Sequence, residues 1–332
     1  MTRKNKLPSK LTFTRDYIAG LGPYLNSRGY SVSFNNIQGY DMRDRVERLE
    51  EDEAMFVWSG PYRRFTADKW KPHPRVIHCE RGFLPHYTSV NFDVAGHGYR
   101  SSITGAKFDT PLYLTQLNEL KEFLRDHYYP ATIPDPREFP FPDPFYLLPL
   151  QHNDDSVMQY DAPMYTRNSA SLIRQIAKVL PDGCSLVVKT HPLHTSPTLP
   201  GAVESSGLNV QLIDSSKFDD EQNHKVNLAL LYRAKAMITV NSSFIFEALA
   251  FNVPTITLGR GVFSGSGLTK EVTRIDATLF DNIPLHLSRN LAFLYELCIN
   301  RQILHADFDN REIVDRAWQL FENRYAEYWG ME

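Results

Sequence analysis

AMITVNSSFIFEALAFNVPTITLG, residues 236–259, decides the fold class. AMITVNSS reads as a buried strand, and SFIFEALAF as a helix opening directly on the two serines. VPTITLG returns to strand. A strand, a helix and a strand in so few residues make a βαβ unit, which implies a right-handed crossover and a parallel sheet.

The same alternation extends outward in both directions. FYLLPLQ (145–151), CSLVVKTHP (184–192) and VQLID (210–214) read as strands. Between them lie the helices 169–180, stopped by Pro181-Asp182-Gly183, and 226–236. Two further helices, 288–299 and 310–328, close the chain. The first half carries a helix over 14–27, with Ile18, Leu21 and Leu25 at helical spacing, and a strand over 31–37. A charged helix over 42–54, a buried strand over 54–60 and a strand over 74–83 running into a loop follow. A helix over 112–127 then places Leu114, Leu117, Leu120 and Leu124 on one face. Six prolines fall between Pro130 and Pro144, an extended connector because proline lacks an amide donor and disfavours helix before it. The expected architecture is α/β, with two Rossmann-like domains facing a cleft. Residues 1–130 form the first, 131–144 the linker and 145–305 the second, with 306–332 packing back on the first domain.

Composition bounds the function. The chain has 332 residues, 42% hydrophobic and 23% charged, as in soluble globular proteins. Lys+Arg 36 against Asp+Glu 39 gives a net charge of −3. No bulk basic excess exists to neutralise a phosphate backbone, which disfavours a dedicated nucleic-acid binder. Cys79, Cys184 and Cys298 are widely spaced, form no metal motif, and point to a reducing, cytoplasmic compartment. No apolar run approaches the roughly 18–20 residues of a membrane span. The basic N-terminus, MTRKNKLPSKL, lacks the apolar core of a secretory signal. It reads as a solvated tail, with peripheral contact to an anionic membrane face as the other option.

Ligands in such sheets bind at the carboxyl ends of strands, and the chemically interesting residues fall there. Asn241, Ser242 and Ser243 sit where a strand meets a helix, so hydroxyls and unpaired amides suit an anionic phosphate. Glu247, one turn on, suits ribose hydroxyls. The competing reading is a helix cap with Glu247 as its partner. Lys189 and His191 leave another strand, where an imidazole can donate to a phosphate. Gln151, Asp154 and Asp155 follow the first strand of the second half. The acid doublet is an exposed turn, a metal ligand pair lacking a DxD pattern, or a sugar-transfer carboxylate facing Glu80. Glu80, Arg81, Asp93 and Arg100 share a loop mixing glycine, acid and base. Gly259 opens a glycine-rich loop with Arg260, whose spacing does not match a nicotinamide fingerprint.

The order of these motifs resembles the bacterial capsule polysaccharide biosynthesis family, which includes β-Kdo glycosyltransferases. The matching residues are ERGF (80–83), FDVAG (92–96), PLQHNDDS (149–156), KTHP (189–192), NSSFIFEAL (241–249) and GLT (267–269). The resemblance implies a GT-B-like fold and the donor CMP-Kdo, a cytidine monophosphate bonded to an eight-carbon acidic sugar. It implies a β product formed with retention, and neither metal nor cofactor. Carried over, Asp155 or Asp154 is the nucleophile, Asp155 favoured by its spacing from Gln151, and Glu80 is the acid/base. His191, Ser242 and Ser243 hold the phosphate, and Glu247 the ribose. Lys189, Asn241 and Gly259 complete the nucleotide side. Arg81, Asp93, Arg100, Gln151 and Arg260 are the candidates for sugar or acceptor contact. The acceptor would be a glycan or glycolipid. Larger members carry two such units or appended transferases, whereas this chain has one. The readings kept beside this one are a GT-B transferase using CMP-sialic acid or a UDP-sugar, a GT-B-type epimerase, and a non-catalytic glycan-binding capsule-assembly protein.

Overall fold

Lys10–Phe13, which begins within the basic N-terminal stretch and so takes Lys10 and Leu11 out of the expected solvated tail, forms a strand inside the first of two six-stranded sheets in the computed structural model. The structure describes residues 7–37, 40–60, 62, 72–129, 135, 139–152, 154–192, 198–207 and 209–331, with backbone only at 40, 41 and 43. Residues 1–6 of the basic stretch, and 131–134 and 136–138 of the proline-rich stretch, lie outside the described residues. The strands in chain order are β1 (Lys10–Phe13), β2 (Ser31–Phe34), β3 (Glu53–Trp58), β4 (Val76–Arg81), β5 (Ser89–Asp93) and β6 (Phe145–Pro149). They continue as β7 (Ser185–Lys189), β8 (Val210–Ile213), β9 (Ala236–Thr239), β10 (Thr255–Thr257), β11 (Lys270–Glu271) and β12 (Gln302–Leu304).

One unit comprises Met1–Ile103 and Tyr295–Glu332. Its sheet runs β12-β5-β4-β3-β1-β2. The pairs β1–β2, β1–β3 and β3–β4 are parallel, whereas β4–β5 and β5–β12 are antiparallel. This corrects the expectation of a purely parallel sheet. Residues 82–88 are too few for a crossover helix, so β5 must return as a hairpin partner. The predicted helix over 14–27 is a 3-10 segment, Asp16–Leu21, followed by a short helix, Gly22–Ser27.

The C-terminal helix Arg311–Trp329 belongs to this unit. Val314, Trp318, Phe321 and Tyr325 recur at helical spacing and are buried with Phe13, Phe56 and Phe92. The Trp318 ring lies 5.9 Å from Phe56 and 5.9 Å from Phe92. Each such side chain contributes about 1.5–3 kcal/mol on burial, so the helix is integral to the core. Polar pairing fixes its rotation: Arg28 bridges Asp315 (2.7 Å) and Glu322 (3.2 Å).

The other unit is Thr104–Leu294. Its sheet runs β11-β10-β9-β6-β7-β8, and every pair is parallel. Buried strands such as Phe145–Pro149 are covered on both faces, which is why they read as continuous apolar runs. The division falls at Ile103 and Leu294 rather than at 130 and 305. Helix Leu114–His127 therefore joins the second sheet, through Tyr128, whose hydroxyl donates to Glu247 (2.7 Å). The end of the proline-rich stretch docks on this unit too, because Arg233 donates to the Phe139 and Phe141 carbonyls (3.1 Å each). No helix among the described residues is long and apolar enough to cross a membrane.

Candidate active site

In the second sheet the chain leaves β6 toward β7 and β8, then crosses back to β9 on the other side. The β6–β9 junction is thus a topological switch point, where the connections diverge to opposite faces and open a crevice at the strand ends. Gln151 follows β6 and Asn241 follows β9. Gln151 Nε2 donates to Asn241 Oδ1, and the Asn241 amide donates back to Gln151 Oε1, both at 2.9 Å. Asn241 Nδ2 donates further to the carbonyls of Val157 (3.0 Å) and Arg260 (3.3 Å). Both side chains are buried and spent inward. They join the exits of β6 and β9 and shape the floor of the crevice.

Ser242 and Ser243 follow directly, half-buried at the start of helix Phe244–Ala250. Ser242 Oγ accepts from the Phe244 amide (3.2 Å), which keeps its proton available to an acceptor outside the helix. The N-cap position itself is Ser243, which makes no side-chain cap bond, so Ser242 supplies a local turn bond just ahead of the helix. Glu247 does not answer it, since its carboxylate accepts from Tyr128 and from the Asn227 side chain. Burial raises the Glu247 pKa to about 7 against the lowering effect of Tyr128, Lys189 and Asn227. Lys189, at the end of β7, is buried and donates to Ser215 Oγ (2.7 Å) and Asn223 Oδ1 (3.3 Å). Burial lowers its pKa to about 8, with Glu247 opposing. Lys189 therefore braces the end of β7 against Ser215 and Asn223.

His191 is half-buried one strand over from the switch point. Its ring centroid lies 6.3 Å from that of His152, which follows Gln151. Gly259 lies two residues after β10, its amide donating to the Val240 carbonyl (2.9 Å). A Cβ there would sit 2.9 Å from Val240 Cγ1 and 3.1 Å from the Val240 carbonyl oxygen, so glycine serves close packing. Arg260 is exposed, and its amide donates to the Asp161 carbonyl (2.9 Å). A cavity of about 410 Å³ opens beside these residues, lined by Tyr160, Asp161, Pro163, Thr257, Gly259 and Arg260 among others.

Asp154 and Asp155 are both exposed where the chain leaves the β6 exit. Asp155 caps the short helix Ser156–Tyr160, its carboxylate accepting from the Val157 amide (3.2 Å). The Asp154 amide donates to His152 Nδ1 (3.3 Å). Asp155 is thereby held in one orientation at the strand end, a property a nucleophile needs.

In the first unit, Glu80 and Arg81 are the last residues of β4, half-buried, in strand rather than loop. Glu80 Oε1 accepts from the Arg81 amide (3.1 Å). Asp93 is a different case. Its buried carboxylate accepts from the amides of Ala95 (2.8 Å), Gly96 (3.1 Å) and Ser102 (3.0 Å). It accepts also from Ser101 Oγ (2.6 Å) and Ser102 Oγ (3.1 Å), and pairs with Arg301 (3.4 Å). Asp93 therefore organises residues 94–103. Arg100 lies near buried His78. Burial drives the His78 pKa down to about 3, with Asp93 opposing and His97 and Arg100 adding, so that imidazole is neutral.

Reasoning from sequence missed Tyr128, Ser215, Asn223, Asn227 and His152. His152 stands beside Gln151 and had a signal. The others lie far along the chain from the residues they brace, and no local pattern marks them.

Residues 133–286 match the family described as capsule polysaccharide biosynthesis protein. The chain is similar to the solved structure of Thermosulfurimonas dismutans KpsC, beta Kdo 2,7 transferase, at 17% identity and a TM-score of 0.59, over 93% of this chain and 98% of that one. It is also similar to Thermosulfurimonas dismutans KpsC, beta Kdo 2,4 transferase, at 18% identity and a TM-score of 0.52, over 86% and 89% of the two chains. No curated protein matches the chain. The fold is the GT-B type, with two Rossmann-like units.

Proposed function

From the match of residues 133–286 to the family described as capsule polysaccharide biosynthesis protein, we propose that the chain is a glycosyltransferase moving Kdo from CMP-Kdo to a glycan or glycolipid acceptor with retention of configuration. One observation carries the reading. Within the matched segment, Ser242 and Ser243 follow β9, His191 follows β7, and Asp155 caps the helix that follows β6, while the Gln151–Asn241 pair forms the floor of the switch point between β6 and β9. The β-Kdo transferase activity named for the two KpsC structures points the same way.

In this reading CMP lies along the switch point. Ser242, Ser243 and His191 donate to its phosphate, so that developing charge on the departing phosphate monoester meets preorganised donors. Glu247, already accepting from Tyr128 at one oxygen, takes a ribose hydroxyl at the other. Asp155 attacks the anomeric carbon as CMP leaves, giving a glycosyl ester. Glu80 then takes the proton of the acceptor hydroxyl, which displaces Asp155 and restores the original configuration. The steps call on no metal and no redox cofactor. Arg260, exposed after β10, takes the sugar carboxylate.

Calorimetry tests the donor half. The reading expects CMP to bind at least tenfold more tightly than UMP or UDP, and His191→Ala and Ser243→Ala each to weaken CMP about tenfold. Equal binding of the three nucleotides, or no loss in either variant, would refute it.

A further inference from the structure

The turn after Glu80 and Arg81 is built from within. Buried Gln302 accepts at Oε1 from the Phe83 amide (2.7 Å) and the Leu84 amide (3.2 Å), and its Nε2 donates to the Leu84 carbonyl. Ser89 Oγ donates to the Pro85 carbonyl (2.6 Å), and the Gly82 amide donates to the Ser89 carbonyl (2.8 Å). At Gly82 a Cβ would lie 2.0 Å from Ser89 Oγ. On this rigid turn stands Tyr87, 62% exposed. The Arg81 guanidinium lies 4.6 Å from its ring centroid. The Tyr17 hydroxyl donates to the Tyr87 carbonyl (2.7 Å). The Tyr17 ring is itself packed edge-on against Trp58 (5.2 Å) and His305 (4.5 Å). Burial raises the Tyr17 pKa, Arg81 lowers it and Glu80 raises it, which places both charged groups in electrostatic reach of that phenol.

A solvated turn needs neither a buried glutamine nor a braced, outward-facing aromatic ring. Exposing a large ring forgoes its burial energy, and rigidity of this kind is what a binding surface uses to limit the entropy cost of association. The chemistry present is also specific. A flat ring offers the face that sugar C–H groups pack against. A guanidinium offers a fork for a carboxylate. A carboxylate one residue away accepts from a hydroxyl. We propose that Tyr87 and Arg81 form a platform for the terminal acidic sugar of the acceptor, its ring stacked on Tyr87, its carboxylate on Arg81, and a hydroxyl directed to Glu80. The identity of the occupant rests on the transferase reading; the platform is contained in the first unit.

The test measures binding without donor, by calorimetry. The probes are a short oligosaccharide ending in a Kdo glycoside and the same compound with that carboxylate reduced to an alcohol. Wild type is expected to bind the acidic probe. Tyr87→Ala should weaken it at least tenfold and Tyr87→Phe less than threefold. Arg81→Gln should weaken the acidic probe about tenfold and leave the reduced probe unchanged. CMP affinity should be the same in all variants. Wild-type binding undiminished in Tyr87→Ala, equal loss of both probes in Arg81→Gln, or no binding of the acidic probe to wild type overturns the proposal. Tyr87-dependent binding in a protein that takes no CMP would instead sink the donor reading and keep the platform.

Discussion

Gln151 and Asn241 exchange two hydrogen bonds of 2.9 Å between the exits of β6 and β9. The pair closes the floor of the switch point and satisfies two buried amides with each other. Removing one member leaves buried groups of the other unsatisfied, so the losses from the two replacements should overlap. Gln151→Leu and Asn241→Leu should each destabilise the protein by about 1–3 kcal/mol. The double variant should lose less than the sum, as read from denaturant midpoints. Simple additivity would show that the two side chains act independently.

Asp93 should matter for stability and for loop order. It is buried, paired with Arg301, and accepts from the amides of Ala95, Gly96 and Ser102. Asp93→Ala strands a buried cation and three donors, at a cost of about 3–5 kcal/mol. Hydrogen exchange of those three amides should accelerate even in the milder Asp93→Asn. Unchanged protection would mean that residues 94–103 hold their shape by other means.

Glu247 and Lys189 give the second unit a pH signature. The Glu247 pKa is raised to about 7 from 4.5, so the folded state holds that proton more tightly, and stability falls as pH rises from about 4.5 to 7. The Lys189 pKa is lowered to about 8 from 10.5, so the unfolded state binds more protons there, and stability rises from about pH 8 to 10.5. Together these groups place a stability minimum between about pH 7 and 8. Glu247→Gln should abolish the acid-side decline, measured as urea midpoints against pH. A wild type and variant running parallel from pH 5 to 7 would contradict the assignment.

Gly82 should tolerate no side chain. A Cβ would meet Ser89 Oγ at 2.0 Å and Gln302 Oε1 at 2.8 Å. Gly82→Ala should cost about 1–3 kcal/mol through overpacking, and Ser89→Ala introduced with it should recover part of the loss. Thermal melts of the single and double variants check this.

The second sheet was legible because its strands are covered on both faces and therefore carry unbroken apolar runs. The first sheet was less so. β1 has four residues and β12 three, too short to show a period. β5 was hidden in a glycine-containing stretch read as loop. At the site, sequence located the strand exits but not the direction of each side chain. For Asn241, Gln151 and Lys189, a polar residue after a strand reads the same whether it faces a ligand or a neighbouring strand exit. The partners that decide the matter, such as Ser215 for Lys189 and Tyr128 for Glu247, come from separate elements. Ser242 was readable because its role is local.

Sugar transfer through a carboxylate at the β6 exit is tested most directly by intact mass after incubation with CMP-Kdo and no acceptor. The account predicts a mass increase of one Kdo residue on the wild-type protein and none on Asp155→Asn. An adduct of equal occupancy on Asp155→Asn, or undiminished transfer by that variant, would contradict it.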